Sequence, residues 1–220
     1  MKNRRGLWGL AAVVLFLLAG AACGKTPATN FYTIDLPAPA EAGSPPVHGE
    51  PVQGEPAALQ VGVDRPRASH LLRQDRIVYF TSGNELNFYQ YHRWAEPPVF
   101  LVQSAVIRQL RSAGLFDNVV PYRAQKGLDY VVRGRLLAME EVDTPGGVTA
   151  RFGLELELVR QKDAVVVWSG RASRERSAAS NSVEAVVEAM GGCVQETLDE
   201  LTRSMHGALA RLESQTGGSR

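Results

Sequence analysis

The sequence is poor in the residues that build metal sites, disulfide frameworks or catalytic centres. Only two cysteines, Cys23 and Cys193, occur in 220 residues. The disulfide lattice that staples many small secreted domains is therefore excluded. Of the four histidines, His48, His70, His92 and His206, none makes a metal-ligand spacing with another histidine or a cysteine. No G-x-S-x-G nucleophile elbow is present. Charge of one sign is also lacking: 24 basic and 23 acidic residues give a net charge of +1. Without a basic excess, nucleic acid is not an expected partner. The longest apolar run, Leu7 to Ala22, falls short of the roughly 20 residues a membrane-spanning helix needs. A run resembling a phosphate-binding loop, Gly20 to Thr26, has three residues between its glycines where that loop requires four. Nucleotide binding is excluded there.

What the N-terminus does contain is ordered. Lys2, Arg4 and Arg5 precede the apolar run, which ends in small residues ahead of Cys23. Basic start, apolar middle and small-residue end read as a signal peptide over residues 1–22. The segment Gly20-Ala21-Ala22-Cys23 resembles the lipobox of bacterial lipoproteins, with Gly20 where leucine is usual. That likeness implies acylation of Cys23, a covalent lipid and no other cofactor. The acyl chains then replace the removed run as the membrane anchor, and two or more chains hold stably. Gly24, rather than aspartate, implies export to the outer membrane. With residues 1–22 removed, 21 basic and 23 acidic residues remain. Cys193 is left without a partner and is expected as a small buried residue of a helix.

Residues 23–30 form a short tether. Residues 31–214 read as one α+β domain, and residues 215–220 as a flexible tail. Phe31 to Leu36 has strand composition. The proline- and glycine-rich segment 37–56 cannot bury a core and reads as a solvated loop. Further strands are expected at Ala57–Val63, Arg76–Phe80, Glu85–Tyr91, Phe116–Tyr122 and Asp129–Glu141. Glu140, Glu141 and Asp143 stand at a strand end and read as a solvated edge. Val148, Ala150, Phe152, Leu154, Leu156 and Leu158 alternate with polar residues. That period of two places one strand face on a core and one in water. Ala164 to Arg174 returns beside it, completing an antiparallel meander. Glu155 and Glu157 share a face at a spacing of about 7 Å. A glycosidase could use such a pair, but nothing else frames a sugar site.

Two helices follow from apolar stripes at steps of three and four. Val99, Val102, Val106, Leu110 and Ala113 mark one, opened by Pro97-Pro98 and closed by Gly114. Val183, Val187, Met190, Val194, Leu198, Leu201, Met205, Leu209 and Leu212 mark the second and longer one. Asn181 is its expected cap, with Glu184 as capping-box partner, and Gly191-Gly192 is expected to kink or break it. The fold class is α+β: a mainly antiparallel sheet with two amphipathic helices packed on one face and the other face partly open.

The segment Tyr89-Gln90-Tyr91-His92-Arg93-Trp94-Ala95-Glu96-Pro97-Pro98, with RIVYF at Arg76–Phe80 and NELNFY at Asn84–Tyr89, resembles the ABC-type transport auxiliary lipoproteins. FYTIDL after the cysteine, LQVGVDRP and DYVVRGRLLAMEE match in kind and order, so the likeness spans nearly all of the chain beyond residue 22. It implies a non-enzymatic role as the outer-membrane docking component of an ABC system that moves lipids between two membranes. The partners it implies are the periplasm-spanning MCE-domain protein and, in some members, further copies in a ring. A lipoprotein that helps to assemble an outer-membrane export or secretion complex would share anchor and fold. The R-W-A-E-P-P segment separates the two readings. Tyr79, Tyr89, Tyr91, Arg93 and Trp94 are the candidate partner-binding residues, since aromatics with arginine are favoured at interfaces. For Trp94 the favoured reading is that it staples the first helix to the sheet. No catalytic or metal-ligating residue is nominated.

Overall fold

A computed structural model describes residues 27–34, 36, 59–81 and 85–217. In chain order they form β1 (Asn30–Tyr32), β2 (Gln60–Val63), β3 (Arg76–Phe80), β4 (Leu86–Trp94), α1 (Pro98–Ala113), β5 (Asn118–Pro121), β6 (Tyr130–Thr144), β7 (Gly147–Arg160), β8 (Val165–Ser177) and α2 (Val183–Gly217). Residues 1–22, read above as a signal peptide, Cys23 and the segment 37–56 lie outside the described residues.

The expected meander is there: β6, β7 and β8 pair antiparallel along their lengths. Leu154, Leu156 and Leu158 of β7 face Leu136, Gly134 and Val132 of β6, and Ala172, Gly170 and Trp168 of β8. This face is buried under the helices. The opposite face carries cross-strand charge ladders in register: Arg135, Glu155 and Arg171 in one row, Glu140, Arg151 and Glu175 in another. Glu155 and Glu157 each oppose an arginine, Arg135 and Arg133 respectively, an arrangement that stabilises a solvated face.

The sheet is mixed rather than purely antiparallel. Strands β2 and β3 both run parallel to β6 and share its second edge. β2 takes Tyr130–Val132, and β3 takes Glu141 and Val142. β5 adds to β2 in parallel, and β1 adds to β4 in parallel beyond the β3–β4 pair. The eight-stranded sheet thus divides into two lobes along one side of β6. Parallel neighbours are joined by long connections rather than tight turns, so no local turn signal announces them.

Both helices pack on the same face. α1 starts at Pro98 and ends on Gly114, which adopts the left-handed conformation at φ 62°, a geometry glycine supplies without strain. α2 runs unbroken through Gly191-Gly192, because its stripe stays on the sheet on both sides of them. Met190, Cys193, Val194, Leu198, Leu201 and Met205 are all buried. The Cys193 thiol lies 3.6 Å from the Ala150 carbonyl, and burial raises its pKa to about 11. The cap of α2 is Ser182 rather than Asn181: its hydroxyl accepts from the Ala185 amide at 3.2 Å. Glu184 is drawn away to Tyr32 instead.

Candidate functional site

The aromatic segment sits where the sheet is most irregular. Arg76 pairs with Arg93 and Val78 with Phe88, so four residues of β4, Tyr89 to His92, oppose Ile77 alone. Bulges of this kind bend a strand and re-aim its side chains. In a regular strand residues three apart point to opposite faces. Here the Tyr89 and His92 rings meet edge to face, centroids 5.6 Å apart. Tyr79 lies 4.9 Å from Tyr89, and Tyr32 stacks on His92 at 5.7 Å. Tyr91 is half-buried within the bulge. Arg93 leaves this group and pairs with Asp75 at 3.1 Å. Trp94 is 2% exposed and packs in the core. Its Nε1–H has no acceptor among the described residues.

Two carboxylates tie the tyrosines to the fold. Tyr89 donates its hydroxyl to both oxygens of Glu141, at 2.8 and 3.0 Å. Tyr32 donates to Glu184 at 2.6 Å and lies 2.7 Å from His92 Nδ1, which with that proton committed acts as the donor. Glu141 is 2% exposed, so the solvated edge expected from the sequence is corrected here. The cause is a bulge in β6 between Leu136 and Ala138. It shifts the strand phase, so Met139 and Glu141 face the helices where Ala138 and Glu140 otherwise would. Burial pushes the Glu141 carboxyl up to about 7; Asp143 pushes the same way and the Tyr89 hydrogen bond opposes. Burial and the Glu141 charge push the Tyr89 phenol up in turn.

The other face of this sheet end is apolar, which the sequence reading did not single out. Phe80, Leu86 and Phe88 share it through the pairs Phe80–Leu86 and Val78–Phe88. Phe31 lies there too, opposite Arg93. Phe31 is 64% and Phe88 44% exposed. The Arg76 guanidinium stands 4.1 Å over the Phe88 ring. The alternation of Leu86 with Phe88 was the available signal, masked by the tyrosines around it. A concavity of about 530 Å³ opens between the lobes, where Arg65, Arg67, Arg133 and Arg135 meet Glu155 and Glu157. Its mixed charge marks a solvated cleft. Among the described residues no cluster of three histidine, cysteine or acidic side chains could hold a metal ion. No described helix is long and apolar enough to cross a membrane.

The described residues thus form an α+β layer in which Tyr32, Tyr79, Tyr89 and His92 gather at one irregular sheet end. Its sequence places it more closely. The profile of the ABC-type transport auxiliary lipoprotein component family matches residues 41–202, and the chain belongs to that family. A comparison with curated proteins gives no match. Among solved structures, protein XCC0632 from Xanthomonas campestris is similar, at 21% identity and a TM-score of 0.67. The alignment covers 84% of this chain and 99% of that one. An uncharacterized protein aligns at 15% identity and a TM-score of 0.61, over 81% of this chain and 99% of that one. The PelC dodecamer from Paraburkholderia phytofirmans aligns more loosely: 18% identity, TM-score 0.40, covering 64% of this chain and 86% of that one. At these identities the first two likenesses establish the fold.

Proposed function

We propose that this protein is a lipid-anchored docking component of an MCE-type ABC system that moves lipids between the inner and outer membranes. Cys23 carries the acyl chains, the outer membrane holds them, and the domain faces the periplasm. The role is non-enzymatic. The observation that carries this reading is the family match across 41–202, the family being an auxiliary transport lipoprotein. The half-buried Tyr89 and Tyr91 of the β4 bulge, with Tyr79 of β3 beside them, are the proposed contact for the periplasm-spanning MCE-domain protein. They combine large rigid rings with hydroxyls, a pairing favoured at interfaces. Among the described residues β1, β5 and β8 each pair on one side only. Copies of the chain can therefore meet edge to edge in a ring.

The test is cross-linking in intact cells, followed by mass spectrometry of what co-purifies with the chain. An MCE-domain protein cross-linked near the β4 bulge is the expected result. Recovery of an outer-membrane barrel or secretion component instead would move the function to assembly of that machine.

A further inference from the structure

Both helices lie on one face of the sheet, and among the described residues some apolar side chains on the other face stay open to water, while others such as Val78 are buried. They are not spread evenly. The central strands carry charge ladders there, including Glu140, Arg151 and Glu175. The β1–β4–β3 end carries Phe31, Phe88, Leu86 and Phe80. Of the described large apolar side chains, Phe31 is the most exposed. Burial of such rings is favourable wherever water can be displaced. Arg76 stands over the Phe88 ring, and Arg93, in register with Phe31, is paired with Asp75.

The chain itself limits what can cover this patch. Seven peptide steps separate Cys23 from Asn30, the first residue of β1. Fully extended they reach roughly 25 Å. If Cys23 is acylated, as the proposed function holds, Phe31 cannot leave the neighbourhood of the bilayer. The space between this face and the membrane is too narrow for an intervening folded domain. Aromatic rings settle at the level of lipid headgroups, and arginine stems lie on apolar surface while their guanidinium groups reach phosphate.

The geometry points to a membrane-resting face: the β1–β4–β3 end of the open sheet surface lies on the anchoring bilayer. Phe31 and Phe88 enter the headgroup–acyl boundary, and Arg76 meets lipid phosphates at its rim, while Arg93 stays paired with Asp75. This inference rests on acylation of Cys23. It also fixes orientation, since the opposite face, with both helices and the Tyr89 hydroxyl, then points into the periplasm.

The experiment uses the full lipidated chain in vesicles of phosphatidylethanolamine and phosphatidylglycerol. Phe31→Cys, Phe88→Cys and, as a distant exposed control, Val165→Cys are each labelled with an environment-sensitive dye. The native Cys193 is buried and does not take the label. The expected result is a blue shift at positions 31 and 88, with loss of emission to brominated acyl chains, and neither at 165. A chain that sediments with the vesicles while all three dyes stay in water overturns the membrane-resting face and leaves the anchor standing. Dyes at 31 and 88 shielded from aqueous iodide but not quenched by brominated lipid also overturn it, in favour of protein contact. A chain that does not sediment at all removes the anchor, and the inference with it.

Discussion

Replacing Glu141 with glutamine should flatten the pH dependence of stability. Glu141 is the one described acidic side chain in the buried set, held by Tyr89 at 2.8 and 3.0 Å. Burial, with Asp143 beside it, moves its carboxyl from 4.5 to about 7 in the folded chain. A raised carboxyl means that the folded state binds the proton more tightly than the unfolded state does. Stability is then greatest below about pH 4.5 and falls as pH rises toward 7. Each tenfold change in proton affinity is worth about 1.4 kcal/mol, so ionising Glu141 costs about 3 kcal/mol. For a domain of this size that is roughly 6–12 °C in Tm. Glutamine mimics the protonated acid, since its carbonyl still accepts from Tyr89. Thermal melts followed by circular dichroism between pH 5 and pH 8 should show the wild-type Tm falling and the variant nearly level. Glu140, also raised by burial but offset by Arg151, leaves a smaller slope of the same sign. A wild-type Tm that rises over this range would refute the reasoning. So would a glutamine variant that falls as steeply as the wild type.

Other substitutions probe packing and the anchor. Trp94→Ala should cost about 3–5 kcal/mol, the usual loss for truncating a buried aromatic, read as a lowered denaturation midpoint. Gly134→Ala would place a Cβ 2.6 Å from Leu156 Cδ2 and 2.7 Å from the Glu155 carbonyl. Because the backbone there cannot yield, about 1–3 kcal/mol should be lost. Gly192→Ala first meets the Arg176 guanidinium, the far end of a flexible side chain that pairs with Glu196 at the surface. Better helix propensity offsets its displacement, and stability should change by less than about 1 kcal/mol. Cys23→Ala should move the protein out of the outer-membrane fraction; an unchanged distribution on membrane fractionation removes the lipid anchor.

The strongly periodic elements were legible in the sequence. The β7 alternation, the α1 stripe with its Gly114 cap and the α2 stripe each specify their own buried face, because side-chain period and backbone period coincide. The likeness carried by residues 76–98 pointed to the family. The resolution of Trp94 toward the core needed the tertiary structure, since an aromatic before a helix suits an interface as well as a core. The parallel pairings of β2 and β3 on β6 were also beyond the sequence. They join residues distant in the chain, and no turn chemistry encodes them. Two bulges decided the rest. One in β6 turned Glu141 from a solvated strand end into a buried carboxyl, and one in β4 brought Tyr89 and His92 together. A single unpaired residue reverses which face every later side chain takes. Local composition gives no warning of that step; the register imposed by neighbouring strands does.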